Sequence, residues 1–306
     1  MRRYIVKRLL SLVPVLWGVS TFVFLIIHLI PGDPVDIMLG ETAEPADKAA
    51  LRSTLGLDKP VWLQYALFLG NLAHGNVGRS LHTKRPVLET IAERLPATAE
   101  LAVASLLLAI LIAIPLGVCA AIRQYSWVDL GSMGFALLGV SIPHFWLGPL
   151  LILVFSVALD WLPVSGREGW AHLVLPTLTL GTALASILAR MTRASMLEVI
   201  RMEYVTVARA KGLRERVVIG RHALKNALIP LITLLGLQMG ALLSGAIITE
   251  TVFAWPGIGR LTVQAIHSRD YPLVQGCVLV IAIVYVCMNF LTDLAYAWAD
   301  PRIKYE

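Results

Sequence analysis

"EYVTVARAKGLRERVVIGRHALKNALIP", Glu203 to Pro230, carries six lysines and arginines, yet it lies between two long apolar runs. A basic, weakly apolar segment in that position reads as a loop between two membrane spans. The first ten residues have the pattern of a short helix, with Tyr204, Val207, Ala208 and Lys211 along one side. The lone Gly212 then ends that helix, because glycine adopts the left-handed cap conformation at little cost. From Arg214 a second helix runs into the following apolar run. Two helices meeting at a glycine make a rigid elbow that projects from the membrane. Anchoring of anionic headgroups would account for the charge but not for the elbow.

Working outward, 57% of the 306 residues are hydrophobic and 15% are charged, against roughly 25% charged in an ordinary soluble domain. Six runs are long enough for the about 20 residues that a spanning helix needs: Leu9–Ile30, Ala97–Ile122, Gly131–Leu159, Leu173–Arg190, Leu228–Val252 and Leu273–Trp298. They lack the polar face of a soluble core helix, so the expected fold is an all-α integral membrane protein with six transmembrane helices. Arg2, Arg3, Lys7 and Arg8 precede the first run as they would a signal peptide, but its apolar part is too long and no small-residue cleavage site follows. It reads as a retained span. With both termini in the cytoplasm, the inside segments hold 16 of the 26 basic residues, nine of them in residues 190–227. That bias places the elbow inside the cell.

The polar segment 31–95 opens with "PGDP" (Pro31–Pro34) and contains short helical patterns broken at Gly56 and Pro60. A small helical cap over the outer mouth is expected, with Asp33 and Glu44 among its carboxylates. Pro143 within "GVSIPHFWLG" should kink the third span, with Gly139 and Gly148 admitting a close neighbour. "ETVFAWPGIGRL", Glu250–Leu261, leaves the fifth span as a tight, re-entrant element. Helix breaks joined to close-packing glycines suit a moving constriction, which places Ser141, Pro143 and Gln238 near a translocation path.

Asp293 in the last span is expected to pair near the inner face, beside Asn289, or to serve a proton relay. Cys119, Cys277 and Cys287 fall within apolar runs and read as small core residues, not as a disulfide or metal framework. The histidines are scattered, there is no H-E-x-x-H, and no catalytic or metal site is expected. The net charge of +6 follows topology rather than nucleic-acid binding. No G-x-x-x-x-G-K-[ST] phosphate loop occurs, so the chain is not itself an ATPase.

"ARAKGL" followed by "RHALKNALIP", together with "PGDP", "GVSIPHFWLG", "LPVSG", "ARMTRASMLEV", "ETVFAWPGIGRL", "RDYPLVQG" and "DPRIKY", resembles the permease subunits of the dipeptide/oligopeptide/nickel group of ATP-binding-cassette (ABC) importers. The general importer signature of EAA, three residues, glycine, nine residues and I-x-L-P is met only at Ala208, Gly212 and Leu224. The resemblance implies a type I ABC importer permease fold. Residues 1–96 would form an N-terminal span plus outer segment, 97–298 the transmembrane domain with a coupling segment at 203–227, and 299–306 a cytoplasmic tail. It also implies that Ala208 and Gly212, surrounded by Glu203, Arg209, Lys211 and Arg214, dock on a cytosolic ATPase. Implied partners are a second homologous permease, one or two ATPases that use ATP and magnesium, an extracytoplasmic binding protein and membrane lipid. This chain itself would bind no cofactor. Short peptides are the expected cargo; nickel, a metal–chelator complex or glutathione carried by the same machinery is the alternative. An ion-gradient-driven secondary transporter and an intramembrane enzyme are the readings from other classes.

Overall fold

A computed structural model describes residues 2–29, 34–40, 43–54, 56–243 and 246–299. Pro31, Gly32, Asp33, Glu41 and the tail from Pro301 therefore lie outside the described residues. Those that are described are helical apart from turns and one isolated bridge, Arg79 with Pro86. Among the described residues five helices are long and apolar enough to cross a membrane, and a bent pair, counted as one span, gives a sixth.

In chain order, α1 (Arg2–Leu29) is followed by the short helices α2 (Pro34–Leu39), α3 (Pro45–Thr54) and α4 (Val61–Ala73). The break expected at Gly56 and Pro60 is present: Gly56 has φ +68°, and Pro60 stands at the N-terminus of α4. The second span, α5 (Val87–Ile122), starts at Val87 rather than Ala97 and runs through Pro96 and Pro115. The third is broken rather than kinked. α6 (Trp127–Ser141) and α7 (His144–Leu151), which continues as a π-helical segment Ile152–Ala158, meet at 104°. Both Ile142 (ψ 116°) and Pro143 (ψ 137°) are extended, because proline forces its predecessor out of the helical region as well as removing its own N–H.

The fourth span, α8 (Trp170–Ile200), continues well past Arg190. After α9 (Glu203–Ala210), a single helix of 29 residues combines α10 (Glu215–Val217), a π-helical segment Val218–Ala223 and α11 (Leu224–Leu243). The second limb of the elbow thus runs into the fifth span as expected. That span, however, ends at Leu243 and not at Val252: α12 (Ile247–Val252) and α13 (Ile258–His267) are separate short helices. The last span is α14 (Tyr271–Ala299).

The centre of the bundle is α5 against α8. Their contact faces are stripes of small residues, with Ala102, Ala109, Ala113 and Gly117 of α5 facing Gly181, Ala185 and Ala189 of α8. A methyl at Gly117 or Gly181 would overlap Thr192 or Leu108, so backbone approach sets the distance between these helices. The first helix is peripheral. It is held to the last one by Arg8–Asp293 and by Gln275 Nε2 donating to the Val23 carbonyl (2.9 Å), and to α4 by Thr21 Oγ1 and Tyr65 Oη at 2.6 Å. Asp293 is thus structurally paired, with Arg8 rather than with Asn289. Of the three free cysteines only Cys277 is buried; Cys119 and Cys287 are exposed, against expectation.

Candidate functional site

At one end of the bundle, α8 ends at Ile200 and the chain turns through Arg201 and Met202 into α9. Lys211 closes α9, its N–H bonded to the Val207 carbonyl at 3.0 Å. Gly212 follows at φ +75° with its N–H on the Arg209 carbonyl (2.9 Å). A Cβ at Gly212 would meet nothing within 4 Å, so glycine is required here by the backbone angle and not by crowding. Arg214 then stands at the N-terminus of α10.

Val205 and Ala208 are the buried face of α9, packed with Met196 and Val199 of α8 and with Val218, Ile219 and Ala223 of the second limb. This corrects the expected alignment: Tyr204, Val207 and Lys211 are exposed while Ala208 turns inward with Val205. Two polar locks hold the limbs together. Asn226 Nδ2 donates to Tyr204 Oη (2.8 Å) and to the His222 carbonyl (3.0 Å). Arg209 grips Glu215 across the glycine, with Nη2 to Oε1 at 2.7 Å and Nε to Oε2 at 3.2 Å. That hydrogen-bonded pairing holds the Glu215 carboxyl below its ordinary range and raises the Arg209 guanidinium. What remains outward is a mixed face: Val207, Leu213 and Val217 among Glu203, Lys211, Arg214 and Arg216. The elbow residues Glu203, Ala208, Arg209, Lys211, Gly212 and Arg214 are therefore one contiguous unit. Glu215, Tyr204 and Asn226 were not singled out from the sequence as its locks; the opposite charges flanking Gly212 were the available signal.

Residues expected at the path lie on two different spans. Ser141 is exposed at the end of α6 with Oγ on the Leu137 carbonyl (2.8 Å), Pro143 is exposed at the break, and Gln238 is half-buried on α11. Both glycines around the break do admit neighbours: a methyl at Gly139 would collide with Ser186, and one at Gly148 would press on Val252 and Phe253.

Opposite the elbow, "ETVFAWPGIGR" folds into a knot around Glu250, which is fully buried. Its carboxylate accepts Thr98 Oγ1 (2.7 Å) and the Arg260 N–H (2.9 Å), while Thr98 Oγ1 also receives the Ile258 N–H (2.9 Å). Trp255, equally buried, donates Nε1–H to the Ala97 carbonyl at 2.8 Å. Methyl groups at Gly257 or Gly259 would strike the Glu250 side chain. Nearby, Asp270 ties down the segment that leads into α5 by accepting Ser80 Oγ (2.5 Å) and the Leu81 N–H (3.1 Å). Glu250 escaped the sequence reading as an organising residue, although a carboxylate closing an apolar run with no cation near it was its signal.

Comparison with known proteins fits this arrangement. Residues 1–102 match the model described as binding-protein-dependent transport system membrane component, N-terminal, and 113–305 match the binding-protein-dependent transport system inner membrane component. The chain belongs to this family of ABC importer permeases. The permease is 46% identical to the dipeptide transport system permease protein DppB of Alkalihalophilus pseudofirmus over the whole of both chains. To the glutathione transport system permease protein GsiC it is 45% identical in Pectobacterium atrosepticum and 43% in Escherichia coli K12, again over both full lengths. Among solved structures it resembles the inward-facing MetNI methionine ABC transporter (TM-score 0.56, 19% identity, 70% of this chain and 97% of that one). An amino acid ABC transporter crystallised with histidines gives a TM-score of 0.52 at 14% identity, over 71% of this chain and 95% of that one. The solved structures show the type I importer architecture, and the family match with the apolar helices makes the permease a multi-pass inner-membrane protein.

Proposed function

We propose that this permease imports short peptides as one of two homologous membrane subunits, driven by one or two cytosolic ATPases and supplied by an extracytoplasmic binding protein. The observation that carries the reading is the elbow. A glycine-hinged, doubly locked projection with an apolar and cationic outer face suits docking into a cleft of another protein, and it is continuous with two spans. The excess of basic residues in the loops at its end supports a cytoplasmic elbow and cytoplasmic termini. The coupling segment is 203–227 within the transmembrane domain 97–298, and residues 1–96 carry the outer cap, whose exposed face receives the binding protein. ATP and magnesium are used by the partners, and this chain binds no cofactor. Ser141 and Pro143 at the break in the third span, and Gln238 on the fifth, lie near the translocation path.

A second cargo reading rests on a specific observation: the glutathione permeases are as similar to this chain as the dipeptide permease is. Glutathione is itself a tripeptide, so one pathway chemistry serves both. The test is uptake of a labelled dipeptide and of labelled glutathione by cells carrying the complete transport system, each in competition with the other. Co-purification of a tagged permease with a different permease and an ATPase is expected. Uptake that survives inactivation of the ATPase but collapses with the ion gradient would overturn the reading in favour of a secondary carrier.

A further inference from the structure

The turn between α5 and α6 lies at the elbow end of the bundle but takes no part in the elbow. Two of its side chains stand almost entirely in the open, Tyr125 at 90% and Trp127 at 86% exposure. Between them opens a notch of about 670 Å³, with Leu130 and Met133 on its walls and Asp129 and Arg193 at its base. Asp129 is buried and grips Arg193 through two bonds, Nε to Oδ1 at 2.6 Å and Nη2 to Oδ2 at 2.7 Å. Neither bond engages Nη1 of Arg193.

Tyr125 is held in this position at a conformational cost. Its φ of 64° is a left-handed angle that a bulky residue seldom adopts, and its N–H is fixed by Asp129 Oδ2 at 3.0 Å. The buried ion pair therefore holds an aromatic ring outward, away from any packing within the chain. Arg123 is exposed two residues earlier, and Arg201 reaches the same turn through Gln124 (3.4 Å). Below the notch, along α6, Leu130, Leu137 and Leu138 are each 63% exposed, and methyls at Gly131 and Gly134 would meet nothing within 4 Å. An open apolar strip thus leads away from a notch that combines a guanidinium and two amphipathic rings, on a turn that also carries the exposed Arg123 and the Arg201–Gln124 bond.

Aromatic side chains of this kind collect at the headgroup level of a bilayer, and arginine at that depth binds phosphate. We propose that the α5–α6 turn with Arg193 is a seat for one anionic phospholipid, its phosphodiester against Arg193 between Tyr125 and Trp127 and its acyl chains along α6. Charge complementarity selects this occupant. Asp129 has both oxygens engaged by Nε and Nη2 of Arg193, so the notch adds no free carboxylate against a phosphate approaching Nη1. Arg123 and Arg201, on and beside the turn, make the net local charge positive.

The test uses the assembled transporter in nanodiscs, with Trp127→Phe isolating the Trp127 fluorescence by difference. Phosphatidylglycerol brominated near the headgroup end of its chains is expected to quench that component at least twofold more than the same mole fraction of equally brominated phosphatidylcholine. The preference should vanish in Asp129→Asn/Arg193→Gln, a pair that keeps a neutral hydrogen bond. Should that double variant not assemble, the exposed Arg123→Gln/Arg201→Gln pair must lose at least half of the preference. Equal quenching by both lipids would mean an interfacial tryptophan with no seat and would overturn the proposal. So would the absence of quenching by either, which would mean that a protein subunit covers the turn.

Discussion

Replacing Gly212 isolates the geometry of the elbow from its chemistry. Since a Cβ there would touch nothing within 4 Å, an added methyl acts through φ and not through crowding. Holding an L-residue in the left-handed region costs about 1–2 kcal/mol, more for a β-branched side chain, and asparagine pays least. Roughly 1.4 kcal/mol is a tenfold change in an equilibrium, so Gly212→Ala should lower the population of the native elbow on the order of 5- to 30-fold relative to a relaxed one. Val205 and Ala208 anchor α9 to α8, and Val218 and Ile219 anchor the other limb, so the strain is expressed in the angle between them. Solute-stimulated ATP hydrolysis and uptake in proteoliposomes should therefore fall in the order Gly, Asn, Ala, Val, while the amount of inserted protein is unchanged. Wild-type coupling in Gly212→Val, or identical losses in the asparagine and alanine variants, would refute the reasoning.

The Arg209–Glu215 grip makes the elbow acid-sensitive. Because the Glu215 carboxyl is lowered in the folded state, its contribution is complete above the ordinary value of 4.5 and is lost as pH falls through the lower folded value; a spin label at Leu213 should gain mobility in that range, and no longer do so in Glu215→Gln. In the knot opposite the elbow, Gly257→Ala drives a methyl into the Glu250 carboxylate and should cost about 1–3 kcal/mol as overpacking, read as a lower melting temperature in detergent; an unchanged melt would mean that Glu250 moves freely. With Cys119, Cys277 and Cys287 replaced, cysteines at 141 and 238 should react with a water-soluble thiol reagent to an extent that changes with nucleotide, and silence at both in every state would remove them from the path.

Spans and elbow were legible because both are written locally: apolar length for the spans, and one glycine between two helical patterns for the elbow. What escaped depended on partners far away in sequence or on backbone events. The fifth span reads as continuous to Val252 because Ile247, Ile248 and Val252 prolong the apolar run, yet Glu250 finds Thr98 across 152 positions and draws that segment into the knot opposite the elbow. Pro143 announces a kink, but two successive extended residues turn it into a 104° break. Ala208 was placed on the wrong side of α9 because periodicity alone does not say which face a two-turn helix buries; the neighbours from α8 and the π-helical segment decide it.

Rigid and broken elements are distributed unequally around the elbow. On one side α8 runs unbroken for 31 residues, about 46 Å at 1.5 Å per residue; on the other, the 29-residue helix from Glu215 does the same. Both are anchored at the elbow by one shared cluster that includes Met196, Val205, Val218 and Ala227. A displacement of α9 is therefore delivered to two levers at once, not absorbed in a flexible joint. The break between α6 and α7 is the opposite case. It packs on α8 through Gly139 and Ser186 and on the end of α12 through Gly148 with Val252 and Phe253, so it touches one lever and the knot opposite the elbow but belongs to neither. Packed elements shift between discrete arrangements rather than deforming continuously, and the span with a ready-made hinge is where such a shift costs least. Coupling in this permease is therefore expected to concentrate at Ile142 and Pro143, and a substitution that straightens them, Pro143→Ala, should leave ATP hydrolysis intact while uncoupling it from solute movement.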